Sequence, residues 1–311
     1  MNIYVSGSLA YDRIMDFPGK FSDHIMPDKI HILNVCFTVN GMVEKFGGTA
    51  GNIAYSLGLL GEKPLVLATI GRDYQAYFEW LGKNSLPTSG IKIIEEEFTA
   101  GAYITTDLSD NQITGFNPGA MKRQSEYRFG NESAGESIGL IAPGNLGDMI
   151  RYAEEYRERG IPFICDPGQS LTAWSGADLR NWLRGSLVLI SNDYELDLII
   201  KMTGLDKKGL LGQTRTVITT LGEKGSLIST GDGDQKIGVA EASGVADPTG
   251  AGDAYRAGLL KGLIKGVNIR KAAQMGAVAA SYAIEKYGTQ EHRFTFKEFL
   301  ERYRKNFGTL E

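Results

Sequence analysis

Asp247-Pro248-Thr249-Gly250-Ala251-Gly252-Asp253 runs directly into the helix-forming stretch that begins at Ala254. Three small residues in succession let the backbone turn sharply, so the N–H groups of Gly250, Ala251 and Gly252 face one concavity. At a helix start such amides lack intrahelical partners, and with the macrodipole they favour an anion, phosphate above all. Asp253 sets a carboxylate beside that anion site. A negative charge there is a handicap unless it takes a proton from a hydroxyl attacking the phosphate. An anion hole with an adjoining base is the equipment of phosphoryl transfer to an alcohol. Taken alone, a Gly-x-Gly turn ending in Asp would serve equally as a plain strand-to-helix connection.

Outward from this turn, short β-branched runs alternate with helical stretches. Leu65–Ile70, Ser137–Ala142, Pro162–Cys165, Leu187–Ile190 and Thr216–Thr219 read as buried strands. Thr49–Leu60, Tyr74–Asn84, Leu146–Arg159, Leu179–Arg184 and Asp193–Thr203 read as helices. Such alternation implies βαβ units around a mostly parallel sheet, with ligands at the C-terminal strand ends. Two segments break the rhythm. Ile30–Val39, the turn Asn40-Gly41 and a second short strand read as one hairpin, and 102–107 with 112–116 flank Ser109-Asp110-Asn111 as another. Inserted antiparallel ribbons predict a small β-sheet lid.

At 311 residues with 42% hydrophobic content, the chain can hold a sizeable α/β core. No segment approaches a transmembrane run, and Met1–Gly7 reads as a strand entering a Gly turn, not as a secretory signal. A net charge of −4 argues against a nucleic-acid surface. Cys36 and Cys165 are expected to be buried thiols rather than a disulfide, which points to a cytoplasmic protein. The histidines, His24, His31 and His292, are not spaced as a metal pair. The chain lacks GxxxxGK[ST] and an early GxGxxG, which disfavours a Walker-type ATPase and a Rossmann dehydrogenase.

The opening heptad, continued by Ala254-Tyr255-Arg256-Ala257-Gly258, resembles the C-terminal signature of the ribokinase-like (PfkB-type) carbohydrate and nucleoside kinases, with Tyr255 where Phe is more usual. Gly47-Gly48-Thr49-Ala50-Gly51-Asn52-Ile53-Ala54 resembles the N-terminal signature of the same family. The resemblance covers nearly the whole chain. It implies a three-layer α/β/α core with a mostly parallel sheet (residues 1–12, 47–98 and 121–311) and a β-sheet lid (13–46 and 99–120) able to mediate a homodimer.

It also implies roles. Asp253 would be the base, and the amides of Gly250, Ala251 and Gly252 would hold developing charge. Gly47, Gly48 and Asn52 would bind sugar hydroxyls, with Gly47-Gly48 as the lid hinge. Asp12 would grip a vicinal diol, since a carboxylate can accept one proton from each hydroxyl, and Ser8 would add a contact. Asn192 and the loop Thr220-Leu221-Gly222-Glu223-Lys224-Gly225 would line ATP, whose phosphate also meets Gly252. Glu195 would reach Mg²⁺ through water, because Mg²⁺ dehydrates reluctantly. Asp247 would serve a K⁺ ion, and the small-residue helix Ala272–Ala280 would border adenine.

The acceptor is less determined. Asp110–Met121 and Gly19–His24 resemble lid segments of bacterial adenosine kinases of this type. Phe116 would stack on a base and Gln169 would read its edge, whereas Ser170 and Ala102-Tyr103 depart from that pattern. The expectation is ATP-dependent phosphorylation of a nucleoside 5′-hydroxyl, adenosine foremost. Inosine, guanosine or cytidine, and a sugar such as ribose, fructose or a ketodeoxy acid, stay open. A non-catalytic binder would have no need of Asp253.

Overall fold

The computed structural model describes residues 1–130 and 134–310. The first part of the chain forms β1 (Asn2–Ser6), β2 (Ala10–Asp16), β3 (Met42–Gly47), α1 (Thr49–Leu59), β4 (Leu65–Gly71), α2 (Gln75–Lys83), β5 (Ile91–Ile94), β6 (Ala100–Thr106) and β7 (Gln112–Asn117). Then come β8 (Ser137–Ile141), α3 (Leu146–Glu158), β9 (Phe163–Cys165), α4 (Gly176–Leu183), β10 (Ser186–Asn192), α5 (Asp193–Thr203), α6 (Lys207–Leu211) and β11 (Thr214–Thr220). The chain closes with β12 (Ser226–Thr230), β13 (Gly233–Ile237), α7 (Ala251–Ile264), α8 (Ile269–Ala283) and α9 (Phe296–Phe307).

Among the described residues, nine strands make one sheet in the order β13-β12-β11-β10-β9-β8-β1-β4-β5. From β11 to β5 every pairing is parallel, and only the pairings of β12, with β11 and with β13, are antiparallel. Alternate residues of one strand enter different cores, which requires both faces to be covered. Ile3 and Val5 join one cluster with residues of α1, α2, α7, α8 and α9, whereas Tyr4 joins the other with α3, α4 and α5. Val188 and Ile190 against Leu189 repeat the pattern on β10. This is a three-layer α/β/α core. Glycines of α7 let it pack closely on α8: a Cβ on Gly258 would lie 2.4 Å from the Met275 carbonyl oxygen, and one on Gly262 would lie 2.5 Å from Ala272 Cα.

A second sheet, β3-β2-β6-β7, rises from the C-terminal side of β1 and forms the lid. Its second hairpin is the expected one, with β6 antiparallel to β7. The first is not. Pro27–Ile32 is a 3₁₀ segment, residues 33–39 join no strand, and β3 pairs instead with β2. In this segment Phe37 packs against Phe17 and Phe21, whereas Ile30 and Ile32 stand about two-thirds exposed at 65% and 67%. Asn40 donates its amide to the Asp16 carbonyl, closing the end of β2. Cys165 is buried as expected, but Cys36 lies exposed in this same irregular segment.

Candidate active site

The C-terminal ends of the parallel strands converge with the N-terminus of α7. Gly250 caps that helix at φ +80°, a left-handed conformation that costs a non-glycine residue energy, and a Cβ there would press on Thr289 at 3.0 Å. No side chain caps the helix. The Ala251 amide donates to the Pro248 carbonyl at 3.2 Å. Those of Gly250, Gly252 and Asp253 have no backbone partner among the described residues, so of the trio expected Gly250 and Gly252 are open, Ala251 is not, and Asp253 supplies the third open donor.

Asp253 stands in the first turn of α7, partly enclosed. Burial pushes its carboxyl up to about 6, against the pull of the nearby Arg256 guanidinium and a hydrogen bond from Asn52. That value suits a base working near neutral pH. Asn52 on α1 donates Nδ2 to Asp253 Oδ2 at 2.8 Å. Its amide is therefore not free but committed to the Asp253 carboxylate.

Gln290, which the sequence did not single out, explains why. Its Nε2 donates to Asn52 Oδ1 (3.0 Å) and to the Tyr77 hydroxyl (2.9 Å), while its Oε1 accepts from Trp80 Nε1 (2.8 Å). Tyr77 in turn donates to the carbonyl of Gly47 at the end of β3 (2.7 Å). With its acceptor engaged by Gln290, Asn52 can only turn its N–H toward Asp253. A buried polar chain thus joins the base of the lid to the Asp253 carboxylate.

Asp12 lies within strand β2, not in a loop. Its carboxylate accepts no hydrogen bond among the described residues and sits against Gly47, where a Cβ would be 2.5 Å from Oδ2. Burial, then the charge of Asp247, raises its pKa. A half-buried carboxylate lacking donors suits a ligand that brings hydroxyls. The register Lys45–Asp12–Ala102–Phe116 runs straight across the lid, so these side chains share one face. Phe116 is 54% exposed on that face.

Other expected residues are placed differently. Gly48, at φ +89°, lets the chain pass close over the Ser8 carbonyl into α1, as a hinge requires. Ser8 is buried and its Oγ already accepts the Thr49 amide (3.0 Å), so it braces this turn. Asn192 and Glu195 form a reciprocal capping box at α5, Asn192 Oδ1 accepting the Glu195 amide (2.7 Å) and Glu195 Oε2 the Asn192 amide (2.8 Å). Thr220–Gly225 is the turn between β11 and β12, closed by the Leu221 amide on the Gly225 carbonyl. Asp247 holds the Thr249 (2.9 Å) and Gly288 (3.1 Å) amides with its two oxygens. It braces two loops rather than offering a free ligand to a monovalent cation. Gln169 lies exposed in the 3₁₀ turn after β9. Among the described residues no three or more His, Cys, Asp or Glu side chains gather to hold a metal, and no helix is long and apolar enough to cross a membrane.

Comparison with known proteins agrees with this fold. The model of the pfkB family carbohydrate kinases matches residues 20–294. The nucleoside kinase of Methanocaldococcus jannaschii is 33% identical over 276 residues, covering 88% of this chain and 90% of the relative. Its crystal structure, described as an archaeal member of the ribokinase family, superposes with a TM-score of 0.87 over 98% of this chain and 99% of that one. The nucleoside kinase of Burkholderia thailandensis in complex with inosine is 36% identical, with a TM-score of 0.86 over 99% of this chain and 98% of that one. The same enzyme in complex with ADP-inosine is 37% identical, with a TM-score of 0.83 over 98% and 96%.

Proposed function

The chain belongs to the pfkB family of carbohydrate kinases, and we propose that it transfers the γ-phosphoryl group of ATP to the 5′-hydroxyl of a purine nucleoside, adenosine or inosine. The row across the lid carries this reading. Asp12 and Phe116 lie on one face two strands apart, about 10 Å at the usual strand spacing, with only the methyl of Ala102 between them. That is the span from a ribose diol to the base it bears, and a bare pentose offers nothing for Phe116 to stack on. The inosine bound by the Burkholderia enzyme supports a purine.

In this mechanism the ribose diol donates to Asp12 and the lid closes over the base, excluding water as a competing acceptor. Asp253 takes the 5′-hydroxyl proton as that oxygen bonds to the γ-phosphorus, and the bond to ADP breaks. The open amides at the start of α7 face the charge that develops on the phosphoryl oxygens. Asn52, held by Gln290, keeps Asp253 aimed. Mg²⁺ when bound would neutralise phosphate charge. Glu195, half-buried with one carboxylate oxygen unpartnered among the described residues, suits a contact to it through water.

Phe116→Ala tests the carrying observation. The KM for adenosine and inosine should rise about 5–50-fold, and any activity on ribose should be unchanged. Equal loss on nucleoside and ribose would remove Phe116 from base recognition.

A further inference from the structure

One buried positive charge stands beside the site. Arg256 lies one turn after Asp253 on α7 and is only 6% exposed. Side chains on a helix point back toward its N-terminus, so the guanidinium rises over the first turn. One edge of it is clamped: Nε ion-pairs with Asp166, and Nη2 donates to Asp166 Oδ1 at 2.7 Å. Asp166 follows β9 directly and is 2% exposed. The remaining nitrogen, Nη1, hydrogen-bonds none of the described residues. It lies against Gly252, where a Cβ would come within 2.7 Å of it. Gly252 is therefore glycine for a second reason: the space a side chain would take is filled by a cation. Besides Asp166, the charges this guanidinium feels are Asp253 and Glu195.

Joining β9 to α7 does not by itself call for a buried ion pair, since an apolar pair of similar volume is commonly as stable or more so. A rigid arginine with a spare N–H edge beside open helix amides and a base is what a transferred phosphoryl group needs. We propose that Arg256 is a catalytic residue whose Nη1 contacts the γ-phosphoryl oxygens during transfer, and that Asp166 is the positioning residue that aims it. As the acceptor oxygen bonds to phosphorus and its proton passes to Asp253, the electron pair of the breaking P–O bond leaves with ADP. Arg256 stays protonated throughout and gives hydrogen bonds only. The inference rests on the kinase reading of Asp253, but not on which alcohol is the acceptor.

The test uses the full-length protein with Mg²⁺ and no acceptor. Calorimetry compares affinity for a non-hydrolysable ATP analogue, AMP-PNP, with affinity for ADP. Arg256→Met should weaken AMP-PNP about tenfold while ADP stays within about twofold, and kcat should fall roughly 10²–10³-fold. Because that variant strands Asp166 as a buried unpaired charge, the apolar pair Asp166→Leu/Arg256→Met is measured alongside. It should melt near wild type and show the same selective loss. Asp166→Asn, which keeps the guanidinium but loosens it, should lower kcat about tenfold without weakening ADP. The proposal is overturned if AMP-PNP and ADP weaken together, if neither weakens, or if the apolar pair keeps kcat within fivefold of wild type. An enzyme that turned out to phosphorylate a sugar would still show the selective loss, so the two readings fail separately.

Discussion

Asp253→Asn should make the protein more stable while nearly abolishing its activity. Burial lifts this carboxyl from 3.8 to about 6, so the folded chain binds its proton more tightly than the unfolded chain does. The stability that the protonated form contributes is full below about 3.8 and is lost as pH rises through about 6. A shift of this size is worth on the order of 3 kcal/mol. Asparagine reproduces the uncharged state at nearly the same volume, and its Oδ1 can still accept the Asn52 amide proton. At pH 8 the variant should gain about 2–3 kcal/mol, or roughly 3–5 °C in Tm; at pH 4 it should melt within about 1 °C of wild type. In a coupled ADP-release assay its kcat should fall about 10²–10⁴-fold. A gain that is equal at both pH values, or absent at pH 8, would refute the claim that an enforced charge is stored here. Near-normal kcat in the folded variant would refute Asp253 as the base.

Asp12→Asn sets a donor against a donating hydroxyl, so the nucleoside KM should rise clearly. The wild-type preference for ribo- over 2′-deoxynucleoside, about 1–3 kcal/mol, should shrink in that variant; an unchanged preference in steady-state kinetics would free Asp12 from the diol. Gln290→Leu releases the Asn52 amide and strands the Trp80 Nε1 donor. It should cost about 1–3 kcal/mol of stability and move the acid limb of the kcat–pH profile above its wild-type position near 6, because a weaker bond from Asn52 raises the Asp253 pKa. A stability loss with an unmoved pH profile would make Gln290 a packing residue only. In hydrogen exchange, nucleoside should protect 42–47 and 112–117 more than ATP alone does, and equal protection by both ligands would argue against lid closure over the base.

What the sequence discloses follows the range of the contacts involved. Leu65–Ile70 and Thr216–Thr219 are apolar β-branched runs bounded by polar turns, and both fall within strands, β4 and β11. Asn192 and Glu195 satisfy each other three residues apart, so their capping geometry is local and legible. The strand that begins at Met42 follows the Asn40-Gly41 turn signal, but its partner is Ala10–Asp16, more than twenty residues upstream, and no local pattern chooses that pairing over Ile30–Val39. Gln290 meets Asn52 across 238 residues, and Arg256 meets Asp166 across 90. No periodicity reports contacts at such distances. Only a polar residue inside a buried segment hints at them, and Gln290 between Thr289 and the buried His292 carries that hint.

The central claim is that this site phosphorylates a nucleoside rather than a free sugar. Equimolar inosine, adenosine, ribose and fructose compete for limiting ATP with Mg²⁺, and the phosphorylated products are separated and counted. The product ratio gives the ratio of kcat/KM directly, free of differences in enzyme activity between assays. Nucleoside 5′-monophosphate and ADP are expected in equal amounts, with nucleoside products exceeding sugar phosphates by roughly 100-fold or more. Ribose 5-phosphate or a fructose phosphate as the main product, with the nucleosides left intact, would contradict it.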